Sequence, residues 1–316
     1  MSQTAPCASK SDAMTASAPS VLPNSVAVQF IEDQQQPIVA DWKQIGWSLD
    51  DLGPIHGVVL VERARTFGSK LIDLRWNIER LKNGAKAIGL AEQSVVTWYT
   101  HVCKLIQEAN AAVLSHQDVS VVVLFSPLEW NGTLRWKSLA YLAPIPNARL
   151  NSWYQKGCPL QTSTIGIVPN SVFPSSIKHR SRIHYWLADR SVRGLDPQNV
   201  AILMDTESRI GDSSVANLLF VDRQQNWITP DQEYAHHGTT LKQSIELLQE
   251  IGIEVQMRPV EYREAIACQE VILVGSTGVV WSASSIDQIA LPESRVHCTQ
   301  LQSLWIQYLK HDFRTI

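Results

Sequence analysis

Several common signals are missing from this sequence. No apolar run reaches about eighteen residues, the length that a membrane-spanning helix needs, so we expect no transmembrane helix and no membrane partner. Charged residues make up only 18% of the chain and the formal net charge is -3, which gives no electrostatic reason to expect nucleic acid as a partner. The five cysteines form no C-x-x-C pair, which argues against a disulfide framework or a zinc site and favours a reducing compartment, the cytoplasm.

The N-terminal stretch lacks the features of a targeting segment. Residues 1–20 are rich in Ser, Ala, Thr and Pro, and they contain neither the continuous apolar core of a signal peptide nor the arginines of a transit peptide. We therefore expect residues 1–24 to form a disordered tail.

The rest of the chain is typical of a globular protein. Its 316 residues, 45% of them apolar, are enough for two domains with sizeable cores. Strand-like and helix-like patterns are mixed in both halves, which predicts an α+β (mixed α/β) fold. The polar, proline-marked stretch at residues 144–153 is the best boundary, so we expect a small N-terminal α/β domain over residues 25–150 and a larger C-terminal domain over residues 151–316.

Local patterns predict the elements that matter below. Residues 57–67 and, less strongly, residues 42–48 are strand-like, and residues 165–168 read as an extended segment. Residues 93–114 have the apolar spacing of an amphipathic helix. A further helix-like pattern, with Ile183, Trp186 and Leu187 as its apolar positions, follows Lys178.

Four features of the second half stand in order and suggest shared chemistry. They are Lys178, Asp212 on a small-residue loop before a buried strand, Gly238-Thr239-Thr240 at a helix start, and Gly275-Ser276-Thr277-Gly278 directly after a strand. Free N–H groups at a helix start and in glycine-rich turns bind phosphate. A phosphate site, a lysine that can form an imine and a carboxylate for a ring nitrogen are what pyridoxal phosphate needs. Each feature alone is more typical of an ordinary turn, helix cap or solvated charge.

The ordered set resembles the class IV aminotransferases, the fold-type IV pyridoxal-phosphate enzymes that include branched-chain and D-amino-acid aminotransferases and aminodeoxychorismate lyase. Lys178 is followed by the pair Leu187-Ala188 at the family's spacing, and D-S-S-V-A-N-L-L-F resembles the family's E-x-S-x-x-N-[IL]-F. Gly238 to Leu241 matches G-I-T-R. In the first half, residues 51–65 resemble D-x-G…G-x-x-x-[FY]-E-x-x-R, and Glu79-Arg80-Leu81 matches the helix that carries the phosphate-binding arginine.

The resemblance implies a two-domain D-amino-acid aminotransferase-like fold with pyridoxal 5'-phosphate as the cofactor. It makes Lys178 the catalytic residue, through a Schiff base and as acid/base. The cofactor-binding residues that it implies are Arg80, Lys178, Asp212, Thr239, Thr240, Ser276 and Thr277, with Thr277 also near the substrate carboxylate. It also implies a homodimer.

The sequence departs from the family's pattern at several positions. Asp212 replaces a glutamate and is one methylene shorter. Leu241 replaces an arginine and Asn77 a histidine, which we interpret as structural changes. Ile183 stands where branched-chain enzymes have a tyrosine. Many aminotransferases have a further arginine in the segment that corresponds to residues 126–128, where this sequence has S-P-L.

Two groups of basic residues need a separate explanation. Arg180 and Arg182, with His179 and His184, either line the solvent face of a helix or meet an acidic substrate near the cofactor. His236-His237 is a second candidate for the pocket rim. A pair of histidines is more often part of a surface loop, and no third residue suggests a metal ligand.

The expected function is therefore that of a class IV aminotransferase, which moves an amino group between an amino acid and a 2-oxo acid. A carbon–carbon lyase of the aminodeoxychorismate lyase type, on the same scaffold, is the first alternative. A family member that has lost catalysis and serves as a binding protein is the second. The amino donor, the acceptor and the L- or D-stereochemistry are not determined by these motifs, because specificity depends on pocket shape.

Overall fold

The structure, a computed structural model, describes residues 21–49, 51–115, 117–130 and 132–314. The predicted disordered tail lies outside these residues except for residues 21–24. There Leu22 is buried and donates a backbone hydrogen bond to Leu142 O (2.8 Å), so the chain already packs against the first sheet at this point.

The first half forms an antiparallel sheet covered by helices. Its strand order is β2-β1-β6-β5-β3-β4. Its elements are β1 (Val26–Ile31), β2 (Ile38–Asp41), α1 (Leu52–His56), β3 (Leu60–Phe67), β4 (Lys70–Leu71), α2 (Arg75–Ala87), α3 (Glu92–Ala109), α4 (Ala111–Leu114), β5 (Val119–Trp130) and β6 (Thr133–Pro144).

The second half is built on a larger mixed sheet. Its main path runs β12-β11-β10-β14-β15-β7-β8-β9-β13, and β16 pairs with β15. Its elements are α5 (Asn147–Lys156), β7 (Cys158–Thr162), α6 (Ile183–Arg193), β8 (Val200–Met204), β9 (Arg209–Ser213), β10 (Asn217–Val221), β11 (Trp227–Thr229), α7 (Thr239–Glu250), β12 (Val255–Met257), β13 (Val260–Glu261), α8 (Tyr262–Ala265), β14 (Glu270–Gly275), β15 (Val279–Ile286), β16 (Ile289–Ala290) and α9 (Val296–Leu309).

Two cores hold the helices that carry site residues. In the first, α2 and α3 pack on the sheet through residues such as Leu81, Tyr99 and Val102. In the second, Leu241 and Leu248 of α7 pack with α9 on β10, β14 and β15. Each fully buried apolar side chain of this size contributes about 1.5–3 kcal/mol to the stability of the fold. Packing therefore fixes the positions of α2 and α7.

The mixed α+β fold that the sequence predicts is confirmed, but several local predictions are wrong. Residues 42–44 form a 3-10 turn instead of a strand, and α5 begins inside the predicted boundary stretch. Residues 165–168 lie outside any strand, and their extended conformation stays a prediction. The polar stretch at 144–153 contains the start of α5, which is held by buried Leu150 and Trp153. The domain boundary at residue 150 stays a prediction. Among the described residues, no helix is both long and apolar enough to cross a bilayer.

Candidate active site

One cleft lies between the two sheets and collects most of the predicted site residues. Its volume is about 330 Å³, and its walls come from α2, the loop before α6, the β9–β10 turn, the start of α7 and the end of β14. The predicted residues that line it are Arg80, Lys178, Asp212, Thr239, Thr240 and Ser276.

The remaining predicted residue, Thr277, lies outside the lining of this cleft. Its carbonyl oxygen accepts a hydrogen bond from Arg65 (2.6 Å), and its hydroxyl accepts one from Arg63 (3.4 Å). Thr277 therefore holds two arginines of β3 against the turn after β14, directly beside Ser276.

Lys178 is positioned by pairing with β3. Val61 N donates to Lys178 O (3.1 Å) and Arg180 N donates to Val59 O (2.9 Å), as in a short antiparallel ladder. Burial lowers the pKa of Lys178 well below its ordinary value, and the neighbouring Arg80 charge lowers it further. The lowered pKa favours the uncharged, nucleophilic form of the amine.

Arg80 projects from α2 towards the cleft and is held from behind by a buried carboxylate. Its Nε donates to Glu62 Oε1 (2.9 Å) and its Nη2 donates to Glu62 Oε2 (2.6 Å), in the two-pronged geometry that guanidinium groups favour. Asn77 donates to the same Glu62 Oε2 (2.7 Å). The remaining nitrogen, Nη1, lies 3.3 Å from His236 Nε2 in the cleft.

Asp212 is a buried carboxylate at the end of β9. Asn217 Nδ2 donates to its Oδ1 (2.6 Å), and the backbone N–H of His236 donates to its Oδ2 (2.8 Å). The hydroxyl of Tyr185 donates to Oδ2 at the longer distance of 3.4 Å. Burial raises the pKa of Asp212 to about 6, although these hydrogen bonds and Arg182 act in the opposite direction.

The two hydroxyl-rich turns approach the cleft from one side. Helix α7 begins at Thr239 after Gly238, and no side chain among the described residues caps it with a hydrogen bond. Gly238, Thr239 and Thr240 line the cleft, so the helix start lies at the cavity. Gly238 N donates to Asn217 Oδ1 (2.9 Å), which connects this helix start to the strand after Asp212. Gly275 and Ser276 line the same cavity.

Several residues of this site were not identified from the sequence. Glu62 supports Arg80, Asn217 joins Asp212 to the start of α7, and Tyr185 reaches Asp212. Glu62 and Asn217 lie within the matched motifs, which could have pointed to them. Tyr185 stands two residues after the position where a tyrosine is expected, so its role is apparent only from the geometry.

The departures from the family's pattern have structural explanations. Asn77 supports Glu62, and Leu241 is fully buried in the core of α7. In the segment where the family's arginine is missing, the Ser126 hydroxyl accepts a hydrogen bond from Gly53 N (2.9 Å). Ile183, at the position of the family's tyrosine, points away from the core and is 70% exposed.

The two histidines of the predicted pocket rim have different surroundings. His236 lines the cleft, where burial and the nearby Lys178 lower its pKa well below the ordinary value. His237 is buried outside the cleft, with Nε2 2.8 Å from Pro230 O. Among the described residues, no cluster of His, Cys, Asp and Glu could hold a metal ion.

Comparison with solved structures supports the fold assignment. The branched-chain amino acid aminotransferase of Escherichia coli is 16% identical, with a TM-score of 0.78 over 90% of this chain and 95% of that one. A Brucella abortus aminotransferase bound to pyridoxal phosphate is 15% identical, with a TM-score of 0.72 over 90% and 99%. A branched-chain aminotransferase from Thermoproteus uzoniensis, solved with norvaline, is 16% identical, with a TM-score of 0.74 over 90% and 96%.

Comparison at the sequence level gives the family. No curated protein sequence matches the chain. The family model described as amino-transferase class IV matches residues 59–286, a span that includes all of the predicted site residues. The protein therefore belongs to the class IV aminotransferase family, whose enzymes use pyridoxal phosphate as their cofactor.

Proposed function

We propose that this enzyme transfers an amino group between an amino acid and a 2-oxo acid, with Lys178 as the residue that binds the cofactor's aldehyde. One observation carries the proposal: a lysine whose pKa is lowered by burial faces the same cleft as a buried carboxylate and two hydroxyl-rich turns. A lysine, an acid and a phosphate cradle in one cavity match the three parts of pyridoxal phosphate.

The residues present fit this cofactor. The start of α7 offers unpaired N–H groups and two threonine hydroxyls, and Arg80 presents a guanidinium nitrogen to the same cavity. A Cβ on Gly238 would lie 2.7 Å from Asn217 Oδ1, and one on Gly275 would lie 3.3 Å from Ala216 Cβ, so larger residues would crowd both turns. We assign the phosphate to Arg80, Thr239, Thr240 and Ser276, and the ring nitrogen to Asp212.

Pyridoxal phosphate supplies an aldehyde for imine formation and a ring that withdraws electrons from the substrate's α-carbon. The chain's own groups supply the proton transfers. The lowered pKa of Lys178 favours an uncharged Nζ, which can accept the α-proton and return it on the same side of the cleft. We infer that Thr277 acts near the substrate carboxylate by holding Arg63 and Arg65 in place.

Asp212 performs the work of the family's glutamate from a shorter side chain. Hydrogen bonds from Asn217 and from the backbone N–H of His236 hold its carboxylate in a fixed position. We propose that the carboxylate meets the ring nitrogen from this position. Burial makes its ionised form costly, and a protonated ring nitrogen in contact would stabilise that form. Bound cofactor is therefore expected to shift the pKa of Asp212 down from about 6.

The protein's assembly and location belong to the same proposal. Helix α6 exposes Ile183 (70%), Trp186 (57%) and Leu187 (41%) on one side, next to the loop that carries Lys178. An exposed apolar face of this kind marks a protein interface, and we propose that it contributes to a homodimer. The buried free cysteines Cys103, Cys158, Cys268 and Cys298 are consistent with the reducing cytoplasm.

The test is a half-reaction. Purified protein is loaded with pyridoxal phosphate and given amino acids without any 2-oxo acid acceptor. We expect a visible absorbance band of the bound cofactor that disappears with the donor, and release of one equivalent of 2-oxo acid. The Lys178→Ala variant should lack both. The matched control is Lys242→Ala, because Lys242 lies on α7 outside the cleft lining, paired with Glu79 (3.1 Å).

Two outcomes would contradict the proposal. Continuous pyruvate release from aminodeoxychorismate without an acceptor would indicate a carbon–carbon lyase. A wild-type protein that takes up no cofactor would indicate a binding protein that has lost catalysis.

A further inference from the structure

His236 contacts several parts of the cleft, and the proposed cofactor contacts do not use it. It lies two residues before the first residue of α7, and it lines the cleft together with Arg80 and Lys178. Its backbone N–H donates to Asp212 Oδ2 (2.8 Å), and its carbonyl oxygen accepts from Asn217 Nδ2 (2.6 Å). These two bonds fix the backbone of His236 at the carboxylate end of the site, so its ring projects into the cleft from a defined position.

The two ring nitrogens of His236 have partners of opposite character. Nδ1 lies at hydrogen-bond distance from the carbonyl oxygen of Ser175. A carbonyl oxygen only accepts, so Nδ1 carries a proton. Nε2 lies 3.3 Å from Arg80 Nη1, and a guanidinium nitrogen only donates, so Nε2 carries no proton. The two neighbours therefore select a neutral imidazole with its proton on Nδ1.

The other tautomer and the charged form of His236 are both unfavourable at this position. Each would turn an N–H of the ring towards an N–H of Arg80, and the charged form would add repulsion between two cations. Burial lowers the pKa of His236 well below its ordinary value, and the nearby Lys178 and Arg80 lower it further, which agrees with the neutral form. The ring therefore keeps an acceptor in front of Arg80.

The bond to His236 completes the support of Arg80 and leaves part of its guanidinium free. A guanidinium has five N–H donors. Two of them bind the Glu62 carboxylate, through Nε (2.9 Å) and Nη2 (2.6 Å), and one binds His236 through Nη1. The other two, one on Nη1 and one on Nη2, have no partner within the described part of the chain, so they are available to an anion in the cleft.

Ser175 holds the opposite side of the ring in place. It lies in the loop before α6, and its own N–H donates to Asn170 Oδ1 (2.8 Å). Its hydroxyl donates to Gln232 O, and its carbonyl oxygen accepts from His236 Nδ1. Three bonds fix Ser175, so the proton on Nδ1 has an acceptor in a fixed position.

From this arrangement we infer that His236 is a positioning residue: as a neutral imidazole it accepts a hydrogen bond from Arg80 and aims that arginine at the phosphate group of the cofactor. The inference rests on the proposed function, because the phosphate belongs to pyridoxal phosphate. Glu62 fixes two nitrogens of Arg80, and His236 fixes the third. The adjacent His237 has no such contact, since its Nε2 lies 2.8 Å from Pro230 O and it is outside the cleft lining.

Nuclear magnetic resonance of the cofactor-free protein tests the state of the ring. With nitrogen-labelled histidines, long-range proton–nitrogen spectra distinguish a protonated ring nitrogen from an unprotonated one. The signals of His236 are those missing from His236→Leu or His236→Gln. At about pH 7, close to the ordinary histidine pKa of about 6.5, we expect a protonated Nδ1 and an unprotonated Nε2. A proton on Nε2, alone or together with one on Nδ1, would overturn the inference.

A pair of ligands assigns the effect of His236 to the phosphate. Pyridoxal phosphate and pyridoxal share the aldehyde and the ring nitrogen, and only the first has a phosphate. In absorbance titrations of His236→Leu, we expect the affinity for pyridoxal phosphate to fall about tenfold relative to that for pyridoxal, the equivalent of one charge-assisted hydrogen bond. The matched control is His237→Leu, the same change at the adjacent residue, and it should leave the ratio of the two affinities unchanged.

The outcomes separate this inference from the proposed function. If the wild-type protein binds no pyridoxal phosphate, the proposed function fails and the inference fails with it. If the wild-type protein binds it and His236→Leu keeps the wild-type ratio of affinities, the inference is wrong and the proposed function stands. An equal loss of affinity for both ligands in His236→Leu would also overturn the inference, because it would show that His236 supports the cleft as a whole and not the phosphate contact of Arg80.

Discussion

At the scale of single residues, the account depends on Lys178 being an uncharged amine. Burial and the neighbouring Arg80 both favour its neutral form, and the lowered pKa follows from them. The same Arg80 is held by Glu62, whose charge raises the pKa of Lys178 and so offsets part of the effect of Arg80.

The pH dependence of imine formation tests the state of Lys178. Below its pKa an amine is protonated and cannot attack an aldehyde, so the rate rises with pH and becomes level above the pKa. A surface lysine levels off only near its ordinary value of about 10.4. For Lys178 the rate of pyridoxal phosphate uptake by apoprotein should become level at a lower pH than it does for a surface lysine. A rate that rises with pH up to the ordinary lysine pKa would contradict the lowered pKa.

Removing the carboxylate behind Arg80 should be strongly destabilising. Glu62 and Arg80 expose only 1% and 6% of their side chains, and leaving a buried charge unpaired costs about 3–5 kcal/mol. We expect Glu62→Gln to lose about this much unfolding free energy in denaturant titrations and to bind pyridoxal phosphate more weakly. Glu79→Gln, next to Arg80 on α2 and 51% exposed in its pair with Lys242, should lose less than about 1 kcal/mol. Equal losses in the two variants would argue against the role of Glu62.

At the scale of elements, the start of α7 links the two halves of the predicted cofactor site. Asn217 accepts a hydrogen bond from Gly238 N (2.9 Å) and donates one to Asp212 (2.6 Å). The proposed phosphate end and the proposed ring-nitrogen end of the site are therefore held by one side chain. A change at the helix start is expected to reach Asp212.

A single added methyl group tests this link. In Gly238→Ala the new Cβ would lie 2.7 Å from Asn217 Oδ1, although the backbone angles suit alanine (φ -70°, ψ 160°). Asn217 must then move, and we expect pyridoxal phosphate to bind about tenfold more weakly in an equilibrium titration. In the control, Gly194→Ala, the nearest atom is 3.7 Å away, and cofactor binding should not change. Wild-type affinity in Gly238→Ala would show that the link is unnecessary.

The helices and strands also show which parts of the candidate site could be predicted from the sequence. The order of Lys178, Asp212, Gly238 and Ser276 along the chain predicted residues that the fold does bring into one cleft. Their support was harder to predict, because Glu62 contacts Arg80 only once β3 and α2 are packed together. Residues 165–168, predicted as an extended segment, form no strand, although the Ile167 N–H donates to Met204 O (3.0 Å) at the end of β8.

At the scale of the whole molecule, polar contacts connect the two halves beside the cleft. Lys242 of α7 pairs with Glu79 of α2 (3.1 Å), and Arg65 of β3 donates to Thr277 O (2.6 Å). The apolar pattern of α6 correctly predicted a helix but not its orientation. Ala188 and Val192 face the core, whereas Ile183, Trp186 and Leu187 face outwards. Spacing alone could not distinguish a buried core face from an exposed interface face.

The outward face of α6 leads to a prediction about assembly. Light scattering coupled to size-exclusion chromatography should give the mass of a homodimer for the wild-type protein. A charge in the apolar face should oppose association, so Ile183→Asp should shift the mass towards that of a monomer. Val296→Asp, which changes a similarly exposed residue (67%) at the start of α9, should remain dimeric. A monomeric wild-type protein, or a dimeric Ile183→Asp variant, would contradict the proposed interface.

The most direct measurement concerns the bond at Lys178. Borohydride reduction of the cofactor-loaded protein makes the attachment permanent, and peptide mass spectrometry then identifies the modified residue. The account predicts a single pyridoxyl phosphate adduct on Lys178, and none on that peptide in Lys178→Ala. An adduct on a different lysine, or a loaded protein without any adduct, would contradict it.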